Sequence, residues 1–415
     1  MIKAAVDVLR GERRARVFLL TYAQSALGTG AAAVALMVIA YQRWHSPWAI
    51  TLVLLGTFFP PGVLGPFFGA AVDRYSRRRC AIAADVLRAA AFAGIGLSHG
   101  IGLTLALAFV AGTGTALFSP AALASLPSLV ERDRLPSVTS LYGAINDMGR
   151  TIGPLLAAAA FPLVGGSGIM FVNAGTFAAS AVALSLLRFG GAVESAGGRP
   201  PSAFIREVGE GLRRTTRMPV VRIVVFASTA IFLFAGIFNV AELLFARSLG
   251  ASPSAFALLV MAQGAGVVIG SLSGGRRGSV PQYQARYLFG ILASGIGFLA
   301  LAATTILGPA FGGMLVVGIG NGIVVVHERL IFQKLVPDAL MGRAFAVLEA
   351  LGSWAFFAAY VLGGALVVAI GVRACLAVAG GGVVLVWLVS RVALSSRTES
   401  AAVAGGGEAD PETSS

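Results

Sequence analysis

The chain has little of what a soluble enzyme carries. It holds 2 cysteines and 3 histidines in 415 residues, and 12% of its residues are charged, against about 25% in a typical soluble domain. His45, His99 and His327 are spread over loops and one apolar run. Such dispersal argues against a metal site, and no cofactor is expected. No GxxxxGK[ST] phosphate-binding loop occurs, and the glycine-rich GIGNGI at 318–323 lies inside an apolar run rather than between a strand and a helix. ATP-driven and dinucleotide chemistry are therefore not expected, no catalytic set emerges, and the chain reads as no enzyme. Lysine is almost missing, with Lys3 and Lys334 alone against many arginines, a usage that points to a GC-rich bacterial genome.

What the chain has in quantity is apolar length. Hydrophobic residues make up 57% of it, and the mean hydropathy is +0.86. Runs long enough to cross a bilayer as helices fall at 17–42, 48–71, 80–98, 101–124, 137–163, 169–188, 220–245, 253–275, 286–306, 310–332, 344–369 and 372–391. The expected fold is an all-α membrane protein of twelve transmembrane helices. Its many glycines and alanines suit close helix packing within a membrane.

The net charge of +13 is a topology signal rather than a nucleic-acid footprint. Of 31 Lys and Arg residues, only Arg43, Arg247 and Arg373 fall in the odd-numbered loops, and Arg88, Arg150 and Arg329 fall inside spans. The rest lie in the N-terminal arm, the even-numbered loops and the tail, which predicts cytoplasmic termini. The arm MIKAAVDVLRGERRARV leads straight into a span with no small-residue cleavage site, so the first helix is expected to be the insertion signal. Cys80 and Cys375 start helices on opposite faces, which excludes a disulfide between them.

The chain divides at 189–219, GGAVESAGGRPPSAFIREVGEGLRRTTRMPV. A six-helix bundle (1–188) precedes this linker, a second (220–395) follows it, and a disordered cytoplasmic tail (396–415) ends the chain. Within the linker, Ser202 reads as the N-cap of an amphipathic helix carrying Phe204, Ile205, Val208 and Leu212, with Arg206, Arg213, Arg214 and Arg217 near the headgroups.

Six spans, a basic linker, six more spans and GxxxDRxxRR in the loop at 65–79 together resemble the major facilitator superfamily. Within it the likeness is to drug and siderophore exporters of the enterobactin-exporter and macrolide-efflux type. It covers nearly all of 12–395, including ALFSPAALASLPSLV (116–130), GRTIGPLLA (149–157), FVNAGTFAAS (171–180) and QKLVPDALMGRAF (333–345). The second-half counterpart of the loop, SGGRRGSVPQYQAR, lacks its acidic residue.

The resemblance implies a conformational latch in the 65–79 loop that stabilises the outward-facing state. Gly65 and Gly69 would allow close helix contact, and Asp73 would accept from a neighbouring helix N-terminus or an arginine, with Arg74, Arg77 and Arg78 beside it. The bland alternative is that these arginines only set topology. Asp85 and Arg88, three apart, read as a local ion pair beside the latch. Gly149, Gly153 and Pro154 form GxxxGP, which resembles the exporter-associated motif of the superfamily; the glycines permit a tight crossing and the proline a kink. Packing without a transport role is the alternative.

Asp147, near the bilayer midplane, is the leading proton-coupling candidate, because a carboxylate there is costly unless paired or protonated. Arg150 can share its face, and a purely structural pair is the competing reading. Glu242 and Glu349 are further coupling candidates. Glu242 and Glu328 fall near span ends, where interfacial water is expected to solvate them. Tyr22, Gln24, Asn146, Asn173, Asn239 and Arg329 are the expected cavity residues. The expected function is proton-coupled efflux of a small amphipathic molecule by a monomer in the bacterial cytoplasmic membrane, with substrate, protons and lipid bilayer as partners. A nutrient-importing or lipid-moving permease, or a non-transporting sensor, fits the same topology.

Overall fold

Eleven helices long and apolar enough to cross a membrane are found among the described residues. The computed structural model describes residues 11–187, 213, 217–275 and 278–405, with side chains omitted at 66, 70, 71, 73, 74, 132, 338, 339, 342 and 396–405. The helices are α1 (Arg13–Trp44), α2 (Pro47–Arg74), α3 (Arg77–Leu97), α4 (Ile101–Ser125), α5 (Leu135–Leu186), α6 (Pro219–Ser248), α7 (Pro253–Ser271), α8 (Val280–Ala303), α9 (Leu307–Leu335), α10 (Asp338–Ile370) and α11 (Val372–Gly405).

The shortfall from twelve has a local cause. α5 counts 52 residues, which would span about 78 Å if straight, far more than a bilayer's hydrocarbon core. It is interrupted at Gly165, whose φ of 65° and ψ of −178° lie in a region that only glycine enters cheaply. The 52 residues are thus two spans, a first leg before Gly165 and a return leg after it. Elsewhere local chemistry marks the boundaries. The Ser252 hydroxyl accepts from the Ala255 N–H at 3.2 Å to start α7, and the Ser279 N–H donates to Gln282 Oε1 at 3.1 Å to start α8. α11 continues to Gly405, into the tail expected to be disordered. Residues 397–404, RTESAAVA, include Arg397, Glu399, Ala401, Ala402 and Ala404, all good helix formers. The linker's expected amphipathic helix and residues 406–415 lie outside the described residues, Arg213 and 217–219 excepted.

Packing sorts the helices into two sets with the same internal pairing. α1 packs on α5, α2 on α4, and α3 on both α4 and α5; α6 packs on α10, α7 on α9, and α8 on both α9 and α11. The sets meet along two seams, α5 with α7 and α2 with α10. Because the chain alternates direction, α1 starts and α11 ends on one face, the terminus face; Ser46 and Gly165 mark the distal face.

Contacts along α2 and α10 are concentrated on the distal side. Thr51 Oγ1 donates to the Tyr360 carbonyl at 3.3 Å, and the Phe58–Tyr360 and Phe59–Phe357 ring centroids lie 6.0 and 5.3 Å apart. The last close approach is at Gly62, where a Cβ would stand 3.2 Å from the Ser353 Cβ. Also on the distal side, Arg247 at the end of α6 lies over the Tyr41 ring of α1, 5.3 Å from its centroid. Beyond Gly62 the seam opens among the described residues: a Cβ at Gly65 or Gly69 would meet none of them within 4 Å. The halves close at the distal face and part toward the terminus face.

Candidate functional site

The parted seam exposes a polar strip on the first leg of α5. Asn146, Asp147 and Arg150 are all exposed although they lie inside a span. Counting 1.5 Å per residue from Leu135 puts Asp147 about 18 Å along the helix, deep in the membrane. The Asp147–Arg150 pair of the competing reading does not form: neither side chain has an ion pair among the described residues, and the bond at that turn is Thr151 Oγ1 donating to the Asp147 backbone carbonyl at 3.0 Å. Exposure explains this, because a carboxylate facing an open cavity escapes the desolvation cost that forces pairing in lipid.

Tyr22 of α1 continues the strip. Its hydroxyl donates to Asn146 Oδ1 at 3.3 Å, and its ring stacks on Tyr142 with centroids 4.3 Å apart. Phe118 lies on the other side at 6.0 Å. The Arg88 guanidinium then sits between the Phe118 and Phe177 rings, 4.1 and 4.2 Å from their centroids, and Phe177 stacks on Phe92 at 5.7 Å. A ladder of rings and one guanidinium thus runs from the cavity wall into the core of the first half.

Toward the distal side, the Tyr360 hydroxyl of α10 is approached by Asn239 and Glu242 of α6 and by Arg150 of α5. Asn239, expected in the cavity, is half-buried beside Tyr360 near the closed seam, and Glu242 departs from the interfacial position expected of it. It is buried at 8% exposure, with no hydrogen bond or ion pair among the described residues. Glu328, expected in interfacial water, is likewise buried at 6%. Distance from a span end, read along one helix, does not report how deeply neighbouring helices cover it. Glu349 and Arg329 are exposed.

Two expected cavity residues belong to helix packing instead. Gln24 Nε2 donates to the Thr176 carbonyl at 3.0 Å, joining α1 to the return leg of α5. Asn173 is 1% exposed at the same contact, its Oδ1 accepting from Thr176 Oγ1 at 3.3 Å. Their polar character suggested a cavity, but the partner each one meets is protein.

The latch residues divide. The close contact expected of Gly65 and Gly69 is not made with any described residue. The side chains of Asp73 and Arg74 lie outside the described residues. Arg77 Nη1 donates to the Ala124 carbonyl at 2.7 Å and Arg78 Nε to the Leu184 carbonyl at 3.0 Å, with Arg78 Nη2 also on the Ser185 carbonyl. Both arginines thus satisfy carbonyls left free at the ends of α4 and α5 within their own half. Asp85 and Arg88 form the expected ion pair, Arg88 Nη2 to Asp85 Oδ1, but in the core rather than beside the loop: their exposures are 0% and 6%. Ser180 stands next to the Asp85 carboxylate.

Gly149 and Gly153 make the tight crossing that GxxxG spacing implies. A Cβ on Gly149 would lie 2.6 Å from the Ala26 carbonyl oxygen, and one on Gly153 would lie 2.6 Å from the Gly30 Cα. Pro154 is buried at the same crossing. GIGNGI behaves alike: Cβ atoms on Gly318 and Gly322 would reach the Gln263 and Val267 carbonyls of α7, and one on Gly320 would reach Ser294 of α8.

Sequence reasoning missed one polar cluster. Ser228 of α6 donates to Glu328 Oε2 of α9 and lies 2.8 Å from the Tyr287 hydroxyl of α8, which in turn donates to the Val224 carbonyl at 3.3 Å. Three helices supply one residue or two each, so no single-helix periodicity could have announced it. Tyr142 and Tyr360 were missed for the same reason. No cluster of metal-ligating residues is found among the described residues.

Comparisons with known proteins agree with this architecture. The family model of the Major Facilitator Superfamily matches residues 18–358. The chain is 24% identical to the uncharacterized MFS-type transporter YfiS of Bacillus subtilis, over 93% of this chain and 94% of YfiS. It is 27% identical to the multidrug efflux pump Tap of Mycolicibacterium fortuitum, over 84% of this chain and 87% of Tap. Among solved structures, a POT family transporter in complex with 5-aminolevulinic acid superposes with a TM-score of 0.71 at 12% identity, covering 92% of this chain and 96% of that one. A bacterial homolog of the human lysosomal transporter Spinster, inward-facing and unoccupied, gives 0.70 at 14% identity, covering 92% and 97%. At such identities the structural likeness speaks for the fold alone.

Proposed function

The chain belongs to the Major Facilitator Superfamily, a family of membrane transporters rather than enzymes, and from that premise we propose that it exports a small amphipathic molecule in exchange for protons. The observation that carries this reading is the seam, closed distally and open at the terminus face, with Asp147 exposed in its wall. Alternating access needs such a one-sided opening, with the binding site near the midplane where the halves meet. The arginine bias assigns the terminus face to the cytoplasm of a bacterial cell, so this conformation is inward-open. Two of the three arginines that break the bias have structural work: Arg43 donates to the Ser98 carbonyl and to Ser167 Oγ, and Arg247 covers Tyr41.

Efflux rather than uptake is supported by the name of the relative Tap. With no phosphate-binding loop, an ion gradient is the energy source the reading requires. One proton moving down 100 mV yields about 2.3 kcal/mol, enough for roughly fiftyfold accumulation. Asp147 is the carboxylate assigned to meet that proton in the cavity. The chain acts as a monomer in this reading, since each chain holds its own cavity. In proteoliposomes holding the full chain, an imposed pH difference should drive ethidium against its gradient. Asp147→Asn should abolish that uphill movement and keep energy-independent ethidium exchange. An Asn variant that still concentrates ethidium would remove Asp147 from the coupling step.

A further inference from the structure

Glu328 lies on α9 seven residues before Leu335, Tyr287 on α8 seven residues after Val280, and Ser228 on α6 nine residues after Pro219. At 1.5 Å per residue all three sit about 10–14 Å in from the terminus face. Tyr287 is 0% exposed, Ser228 1% and Glu328 6%. The cluster belongs wholly to the second half, and none of its hydrogen bonds reaches the strip that carries Asp147.

Its hydrogen-bond bookkeeping admits two arrangements. A serine hydroxyl has one hydrogen to give, and an ionised carboxylate only accepts. With Glu328 ionised, Ser228 donates to Glu328, so Tyr287 must turn to Ser228 and release the Val224 carbonyl. With Glu328 protonated, its O–H donates to Ser228 Oγ, Ser228 donates to the Tyr287 oxygen, and Tyr287 donates to Val224. The neutral form therefore completes a chain of three bonds ending on a backbone carbonyl, and the observed Tyr287–Val224 approach of 3.3 Å is the link that only this form fully uses. A buried carboxylate with only hydroxyl partners is costly to keep charged, while a protonated one with the same partners is not.

The charges around it leave that choice open. Arg329, exposed on the same helix, acts on the Glu328 carboxyl. From α8, Arg286 acts on His327 and Tyr283 packs on the His327 ring at 6.0 Å, on the neighbouring position of α9. α7 contains no titratable residue, Arg222 of α6 lines an apolar groove against α11, and Glu349 of α10 is exposed. We propose that Glu328, Ser228 and Tyr287 form a second proton-binding site, distinct from Asp147, in which uptake of one proton from water at the terminus face reverses the direction of the hydrogen-bond chain. Release returns the same proton and restores the first direction. The proposal rests on the proton-coupled reading above.

Difference infrared spectroscopy of the full chain in lipid nanodiscs, recorded across a pH step, reads the proton directly and needs no substrate. The wild type should show a protonated-carboxyl C=O band on acidification that is lost in Glu328→Gln, shifted in Ser228→Ala and Tyr287→Phe, and retained in Asp147→Asn. A band untouched by Glu328→Gln, or indifferent to both hydroxyl removals, overturns the site. If Glu328→Gln does not yield folded protein, the two hydroxyl variants decide alone, because both keep the carboxyl group. A parallel ethidium assay separates the two readings: a wild type that moves no ethidium under a pH difference counts against efflux, whereas the infrared band still judges Glu328.

Discussion

Both halves of the molecule bury carboxyl groups, and two of these, Asp85 in the first half and Glu328 in the second, meet opposite kinds of partner. In the first, Asp85 is held by Arg88, whose guanidinium is itself clamped between Phe118 and Phe177. In the second, Glu328 has Ser228 and, through it, Tyr287. The helix pairing repeats between the halves, yet α3 and α9, which carry the two acids, are not counterparts in it. Backbone symmetry is set by where small residues let helices meet, whereas buried polarity is set by single side chains. The same frame therefore holds one carboxylate paired with an arginine and one whose partners are hydroxyl groups, the arrangement on which the proposed second proton site rests.

That contrast can be broken at either end. The largest effect is expected for Arg88→Met, which leaves Asp85 buried and unpaired and should cost about 3–5 kcal/mol. Asp85→Asn should cost nearly as much, and the double variant should recover most of the loss; thermal unfolding of the purified chain measures all three. Single variants as stable as the wild type would show that the pair is not fixed. Gly153→Leu, which drives a side chain into the Gly30 backbone, should cost about 1–3 kcal/mol or prevent assembly. Gly352→Ala in the second half meets only the edge of the Phe232 ring, at 2.8 Å, which can shift, so it should cost less in the same melt. The smallest effect is expected for Glu328→Gln, within about 1 kcal/mol, because an amide keeps the hydroxyl contacts without leaving a charge. A Glu328→Gln melt as damaged as that of Asp85→Asn would erase the distinction between the halves.

Much of this architecture was legible before any coordinates. Apolar length located the spans, and the boundary it set between 163 and 169 holds the break at Gly165. The spacing of Gly149 and Gly153 announced a close crossing, and Asp85 with Arg88 announced an ion pair. What could not be read was the identity of the partner. Gln24 and Asn173 share the polar character of Asn146, but only the fold decides that Thr176 covers the first two while the cavity meets the third. Glu242 and Glu328 were misread because position along one helix was taken for depth in the whole bundle. Arg77 and Arg78 read as loop charges, and their use as partners for the carbonyls ending α4 and α5 depends on two helices remote in sequence.

The crossing of α1 with the first leg of α5 bears on how such a molecule moves. With Gly30, Gly149 and Gly153 in contact, nothing larger than the Ala26 methyl stands between the two backbones at the crossing to act as a bearing. Sliding one helix past the other would push peptide groups through each other, so the pair travels as a single beam. Tyr22 and Asn146, one from each helix, are joined across that crossing by a hydrogen bond and ride on the beam together. In the proposed efflux cycle, motion would be left to the seams of α2 with α10 and α5 with α7. Cargo held at the Tyr22 wall would then meet the same wall from either side of the membrane, and its release would rest on what the second half withdraws.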